Sequence, residues 1–185
     1  VEIKISTFTD ETGQDTKWKQ FYVCTVICLS KDQQAIETKL EEIEKTSKKT
    51  NKWFKSNNTR RRKYVSEILY WNLTKDLKMY YSAYQNKSDY IDLVASHLVK
   101  AIKTYSSNAQ PEAKIFIDRV DQKTILGIKK EIKLFKIKFK KIRGLKDESS
   151  SIIRLSDTIC GLIRDMGNKK VPSCYRTLFG KIQKL

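Results

Sequence analysis

Four aspartates stand where carboxylates are costly. Asp10 ends an extended segment and opens the run Asp10-Glu11-Thr12-Gly13, and Asp118 closes the apolar burst Ile115-Phe116-Ile117. Asp147 follows a strand-like stretch, and Asp157 lies in a helical stretch that is apolar over much of its circumference. Carboxylates gathered at strand ends repel one another and are expensive to desolvate unless they hold cations or do chemistry. Asp157 is the hardest to explain otherwise. Its neighbours one turn away are Ile153, Cys160 and Gly161, so it does not belong to a charged, solvated face. The others have structural alternatives. Asp10 with Gly13 could shape a turn. Asp118 could cap the next helix, although Asp121 is better placed for that, and Asp147 could cap the last helix. Glu11 and Glu148 are auxiliary candidates.

The bulk charge points the same way. Lys and Arg number 38 against 21 Asp and Glu, a net charge of +17 in 185 residues, which favours a polyanionic partner. Nucleic acid is the leading class and an anionic membrane surface the second. Acids beside such a cationic surface imply metal-dependent work on nucleic acid. Residues 48–63 carry eight cations and no acid, with Trp53 and Phe54 in their midst. Lys52, Lys55, Arg60, Arg61 and Arg62 are candidates to follow a phosphate backbone while an exposed ring stacks on a base. For the two aromatics themselves, anchoring the loop to the core is the favoured expectation. Residues 129–146 carry nine cations and one acid, Glu131, and lead to Asp147. There Lys140, Lys141 and Arg143 are the binding candidates.

Other chemistries lack parts. His97 is the single histidine and sits among apolar helical positions, so a Ser-His-Asp or Cys-His system has nothing else to use. The sequence contains neither a phosphate-cradling glycine loop nor a dinucleotide fingerprint. Cys24, Cys28, Cys160 and Cys174 form no Cys-x-x-Cys pair and read as structural thiols of a reducing cytoplasm. The longest apolar stretch, 21–29, is too short to cross a bilayer, and no signal peptide is visible.

Periodicity predicts the elements that must position these groups. Strands are expected over 1–9 and 21–29, paired as a hairpin whose loop is 10–19. Helices are expected from Lys31 to about Lys48 with Ser30 as N-cap, over 59–73, from a Ser88 cap to about Tyr105, over 121–134 and over 152–166. Further strands are expected over 77–85, 113–119 and 137–143. The tail from Gly167 reads as loop with at most a short final helix. The order is that of a single α/β domain spanning 1–185, with a mixed sheet.

The acidic motifs carry a resemblance. Asp10-Glu11-Thr12-Gly13 resembles an initial Asp-Glu-Ser-Gly motif, and Ile117-Asp118-Arg119 a strand-end Ile-Asp-Arg. Asp147-Glu148-Ser149, followed by Leu155-Ser156-Asp157 and Gly161, resembles a closing Asp-Ser … Leu-Gln-Leu-Ala-Asp-x-x-x-Gly segment. In order and spacing the chain is similar throughout to the domain-of-unknown-function 3800 family, whose predicted fold is ribonuclease-H-like. It departs at Thr12, which keeps the hydroxyl, and at Arg154, which adds a charge where the family has Gln. The resemblance implies an α/β ribonuclease-H-like mixed sheet flanked by helices, with Asp10, Asp118 and Asp157 as metal ligands and Asp147 as a fourth. Such a cluster can hold two Mg²⁺ or Mn²⁺ ions roughly 3.5–4 Å apart, one activating water and one stabilising the leaving oxygen; an all-oxygen ligand set suits these ions. The expected function is a metal-dependent nuclease acting on RNA, DNA or a hybrid, without membrane association, alone or in a homo-oligomer or protein complex. A non-catalytic nucleic-acid-binding or complex-forming module on the same fold is the alternative, and a phosphoryl-transfer or recombination enzyme a third.

Overall fold

The structure, a computed structural model, describes residues 3–13, 20–85, 89–107, 109–167 and 170–185, apart from the side chain of Asp147. The apolar alternation near the N-terminus forms β1 (Lys4–Thr12), antiparallel to β2 (Phe21–Leu29). Pairing runs on to Thr12 opposite Tyr22, so β1 extends three residues beyond the expected end. Asp10 and Glu11 therefore lie within the strand and point to opposite faces of the sheet. Val1, Glu2 and most of the expected loop fall outside the described residues.

After β2 come α1 (Gln33–Ser47), α2 (Asn58–Tyr70), β3 (Leu77–Tyr84), α3 (Tyr90–Ser106), β4 (Glu112–Asp118), α4 (Gln122–Leu134), β5 (Phe139–Leu145), α5 (Ser151–Asp165), α6 (Ser173–Phe179) and β6 (Ile182–Lys184). The sheet order is β5-β4-β1-β2-β3-β6. Strand β2 runs antiparallel to both β1 and β3, β4 runs parallel to β1 and to β5, and β6 runs parallel to β3. Helices α1, α2, α5 and α6 cover one face over Phe8, Val26, Leu40, Tyr64 and Ile159. Helices α3 and α4 cover the other over Ile5, Val23, Leu98, Ile115 and Ile128. Among the described residues no helix is long and apolar enough to cross a membrane.

Several boundaries differ from the sequence expectation. Ser30 does not cap α1; its hydroxyl meets that of Ser6 at 3.0 Å, and Asp32 takes the cap position without a side-chain bond. Helix α2 stops at Tyr70 because Asn72 adopts a left-handed backbone, φ 53°, which leaves Trp71 39% exposed. Strand β5 sits two residues later than expected. Its register against β4 carries an irregularity at Ala113/Lys114 and ends with Asp118 opposite Leu145. Gly144 lies against Val120, whose carbonyl oxygen would lie 2.6 Å from an added Cβ. The expected short final helix forms as α6, whereas strand β6 is not expected from the sequence, since three residues are too few to display a period. Asp121 does cap α4, accepting the Thr124 N–H at 2.7 Å. Ser88 lies outside the described residues.

His97 is structural, as expected. Fully buried on α3, it bonds Ser82 through Nδ1 at 2.8 Å and Thr25 through Nε2 at 3.0 Å, and Thr25 meets Thr9 at 2.7 Å. Burial pushes its pKa down to about 3, helped by the charge of Lys100. Below the ordinary histidine value the unfolded chain takes up a proton that the folded chain refuses, so this group costs stability as pH falls. We expect His97→Gln to be less stable than the wild type at pH 7. The gap should narrow by up to about 1.4 kcal/mol per pH unit below about 6.5, as read by urea unfolding at pH 7, 6 and 5.

Candidate functional site

The site begins with a parallel register. Phe8 of β1 faces Phe116 of β4 across the ladder, with their rings stacked at 5.0 Å. Two residues further along each strand, on the same face, stand Asp10 and Asp118. Helix α5 crosses that face. Ser156 donates to the Phe8 carbonyl at 2.8 Å, and the Cys160 thiol to the Asp10 carbonyl at 3.3 Å. These two residues are one turn apart, and Asp157 lies between them. Asp10, Asp118 and Asp157 consequently line one cleft of about 640 Å³, together with Glu11, Lys52, Phe54, Gly161 and Arg164.

Crowding of buried acids sets their electrostatics. The Asp10 carboxyl is held well above the usual range, first by burial and then by the charges of Asp157, Glu11 and Asp118. Asp157 is raised by burial, against the opposing pull of Lys49 and of a backbone hydrogen bond. Glu11 faces α3 and is pushed up to about 7 by burial, although a hydrogen bond with Tyr90 works the other way. Oδ1 of Asp118 is buried with no hydrogen-bond partner among the described residues.

One short segment faces Asp118 and Asp157. A single 3-10 turn, Trp53–Lys55, follows Lys52. Lys52 Nζ sits 2.7 Å from Asp118 Oδ2, and the Trp53 N–H donates to Asp157 Oδ2 at 2.6 Å. The turn is fixed by its indole, which donates to Asp165 at 2.8 Å while Arg61 donates to the Trp53 carbonyl at 2.8 Å and lies over the ring. Gly161 makes the seat, since a Cβ there would meet the indole at 2.2 Å. The spacing Asp157-x-x-x-Gly161 thus puts a hydrogen-bond acceptor and a hollow on one face of α5, and both receive Trp53.

The remaining expected residues divide. Asp147 opens the turn after β5, but its side chain lies outside the described part of the structure. Glu148 is exposed, pairs with Arg119 at 3.1 Å and lines a neighbouring cleft beside Arg143 and Lys146. Arg154 does not charge the site, because Glu44 of α1 takes its guanidinium through two hydrogen bonds of 2.7 Å. Of the two aromatics, Trp53 is the expected anchor, whereas Phe54 is 62% exposed at the cleft. Lys49 is fully buried over the Tyr64 ring, its pKa lowered to about 8 by burial. Lys55, Arg60, Lys140 and Lys141 are exposed, and so is Arg62. Arg143 is also exposed, with its guanidinium 5.3 Å from the Phe116 ring.

No family model matches the chain, and neither does any curated protein. Solved structures do. The ribonuclease H2 from Pyrococcus horikoshii OT3 aligns with a TM-score of 0.58 at 18% identity, over 94% of this chain and 83% of that one. The RNase HII in the PCNA:RNase HII complex from Archaeoglobus fulgidus aligns with a TM-score of 0.52 at 13% identity, over 95% and 87%. The fold is ribonuclease-H-like.

The donor chemistry of the cleft suits a hard divalent cation, since its acids offer only oxygen. Among the described residues no three His, Cys, Asp or Glu side chains stand in ligand geometry about one point. Two of the acids already give an oxygen to Lys52 and to the Trp53 N–H. Sequence reading assigns Lys52 to phosphate and misses its carboxylate partner. It places Gly161 within a motif but has no sign of the indole, 108 positions earlier, that needs it. Gly161→Ala is expected to cost about 1–3 kcal/mol through overpacking and to shift the Trp53 fluorescence. Guanidinium unfolding followed by tryptophan emission would check both.

Proposed function

We propose that this chain is a metal-dependent nuclease that hydrolyses phosphodiester bonds of RNA or DNA. The observation that carries the reading is the meeting of Asp10, Asp118 and Asp157, from the parallel strands β1 and β4 and the last long helix, in one cleft of a ribonuclease-H-like fold. In the proposal these three hold Mg²⁺ or Mn²⁺, with Asp147 and Glu11 adjoining. A bound ion would supply an activated water and a counter-charge for the leaving oxygen. The raised pKa of Asp10 supports the reading, because an acid cluster that is expensive when empty gains most from a divalent partner. The order of the acidic motifs supports placing the chain in the domain-of-unknown-function 3800 family.

The chain's own residues do the rest. Phe54, exposed at the cleft, offers a stacking face, and Lys55 lies 5.7 Å from its ring. Arg60 and Arg62 belong to the start of α2, while Lys140, Lys141 and Arg143 belong to β5. Arg61 is committed to Trp53 and Asp165 and contributes support rather than a free charge. The alternative, a binding module that has kept the fold without catalysis, has one observation in its favour. Lys52 already neutralises part of the acid cluster.

The deciding experiment is Mn²⁺-dependent cleavage of RNA, single- and double-stranded DNA and hybrid. Asp118→Asn should lose at least the roughly 10–100-fold that changes around a metal site cost, and should lose the Mn²⁺-induced rise in Tm. Binding without cleavage in the wild type would favour the alternative. Phe54→Ala should weaken single-strand binding by about 1–3 kcal/mol and leave the Tm in place. Arg60→Ala with Arg62→Ala should flatten the log–log salt dependence by about 0.7–0.9 for each phosphate that the two arginines neutralise. Fluorescence anisotropy across a salt series reads both.

A further inference from the structure

Lys52 does not sit in the cleft as a surface lysine would. Its ammonium is 2.7 Å from Asp118 Oδ2, in a pair whose side chains are 17% and 5% exposed. Asp10 and Asp157 line the same cleft. The next residue donates its backbone N–H to Asp157. Lys52 and Trp53 thus occupy the oxygens of two acids that the nuclease reading assigns to a metal.

We propose that Lys52 is the resident counter-ion of the acid cluster, and that a divalent cation must expel it from Asp118 to bind. The inference rests on the metal-site reading and concerns what that site costs to load. Lys52 satisfies one oxygen of Asp118 and leaves Oδ1 buried without a partner among the described residues. A divalent ion brings more charge to the same oxygens, so the exchange is downhill once the ion has shed water. The exchange asks little of the backbone. The turn is held by the indole on Gly161, by Asp165 and by Arg61, so the Lys52 backbone stays while its side chain swings. The cleft at that point is lined by Phe54 and Arg119. A released ammonium therefore remains where substrate phosphate would pass. Lys52 is in this sense a positioning residue that sets the threshold for metal and is freed by it.

Two measurements test this. Mn²⁺ titration calorimetry on the wild type, Lys52→Met and Lys52→Gln should show tighter binding in both variants, by roughly tenfold or more, because the competitor is gone. Equal or weaker binding in the variants overturns the inference and leaves the metal-site reading standing. No Mn²⁺ uptake by any of the three proteins overturns both. The second measurement needs no change at Lys52. Acetylation by an N-hydroxysuccinimide ester, read residue by residue by mass spectrometry, should be slow at Lys52 in metal-free wild type and several-fold faster with Mn²⁺. Exposed Lys55 serves as the internal standard and should not respond. Asp118→Asn should make Lys52 fast with or without Mn²⁺. Lys52 labelling that ignores Mn²⁺ in a protein that binds it overturns the inference.

Discussion

The candidate site hangs on the parallel register between β1 and β4. With Phe8 set against Phe116, the residues two further along each strand are obliged to emerge side by side on one face, because strand side chains alternate with period two. A slip of one residue would send Asp10 or Asp118 to the other face. The stacked pair of phenyl rings beneath the acids makes such a slip expensive, since it would also take a large apolar side chain out of a packed core. Helix α5 then locks to the same strand by two hydrogen bonds to its carbonyls, one turn apart, which leaves Asp157 no choice of position.

Bringing three acids together creates an electrostatic problem that the chain answers with residues 49–53. The buried Lys49 opposes the charge of Asp157, Lys52 pairs with Asp118, and the Trp53 N–H donates to Asp157. The short turn that supplies them is held from the far side by α5 itself, through Gly161 and Asp165. The same helix that contributes an acid thus also anchors the segment that neutralises it.

The large positive charge divides into several tasks. Lys49, Arg61 and Arg154 are spent inside the protein, on Tyr64, Trp53 and Glu44 respectively. Lys140, Lys141 and Arg143 lie on β5, which is the outer edge of the sheet. Charged side chains on an edge strand discourage pairing with another sheet, so those cations have a structural reason to exist beside any role with nucleic acid. Lys55, Arg60 and Arg62 are exposed and follow closely on the exposed Phe54, over whose ring Lys55 lies.

What the sequence by itself determined was periodic or local. The α/β order, most strands and helices to within a few residues, the Asp121 cap and the buried role of His97 follow from apolar spacing and cap chemistry within a dozen residues of each other. The acids could be singled out as well, since a carboxylate at the end of an apolar run is anomalous wherever it occurs. What the tertiary structure decided was partnership across the chain. The pairing of Lys52 with Asp118, of Trp53 with Asp157 and Gly161, and of Arg154 with Glu44 each spans more than sixty positions. The edge strand β6 belongs with them, because three residues show no period and pair with Met79 only after the chain has returned. Such contacts leave no periodic trace, because they depend on how helices are set against the sheet rather than on which residue follows which.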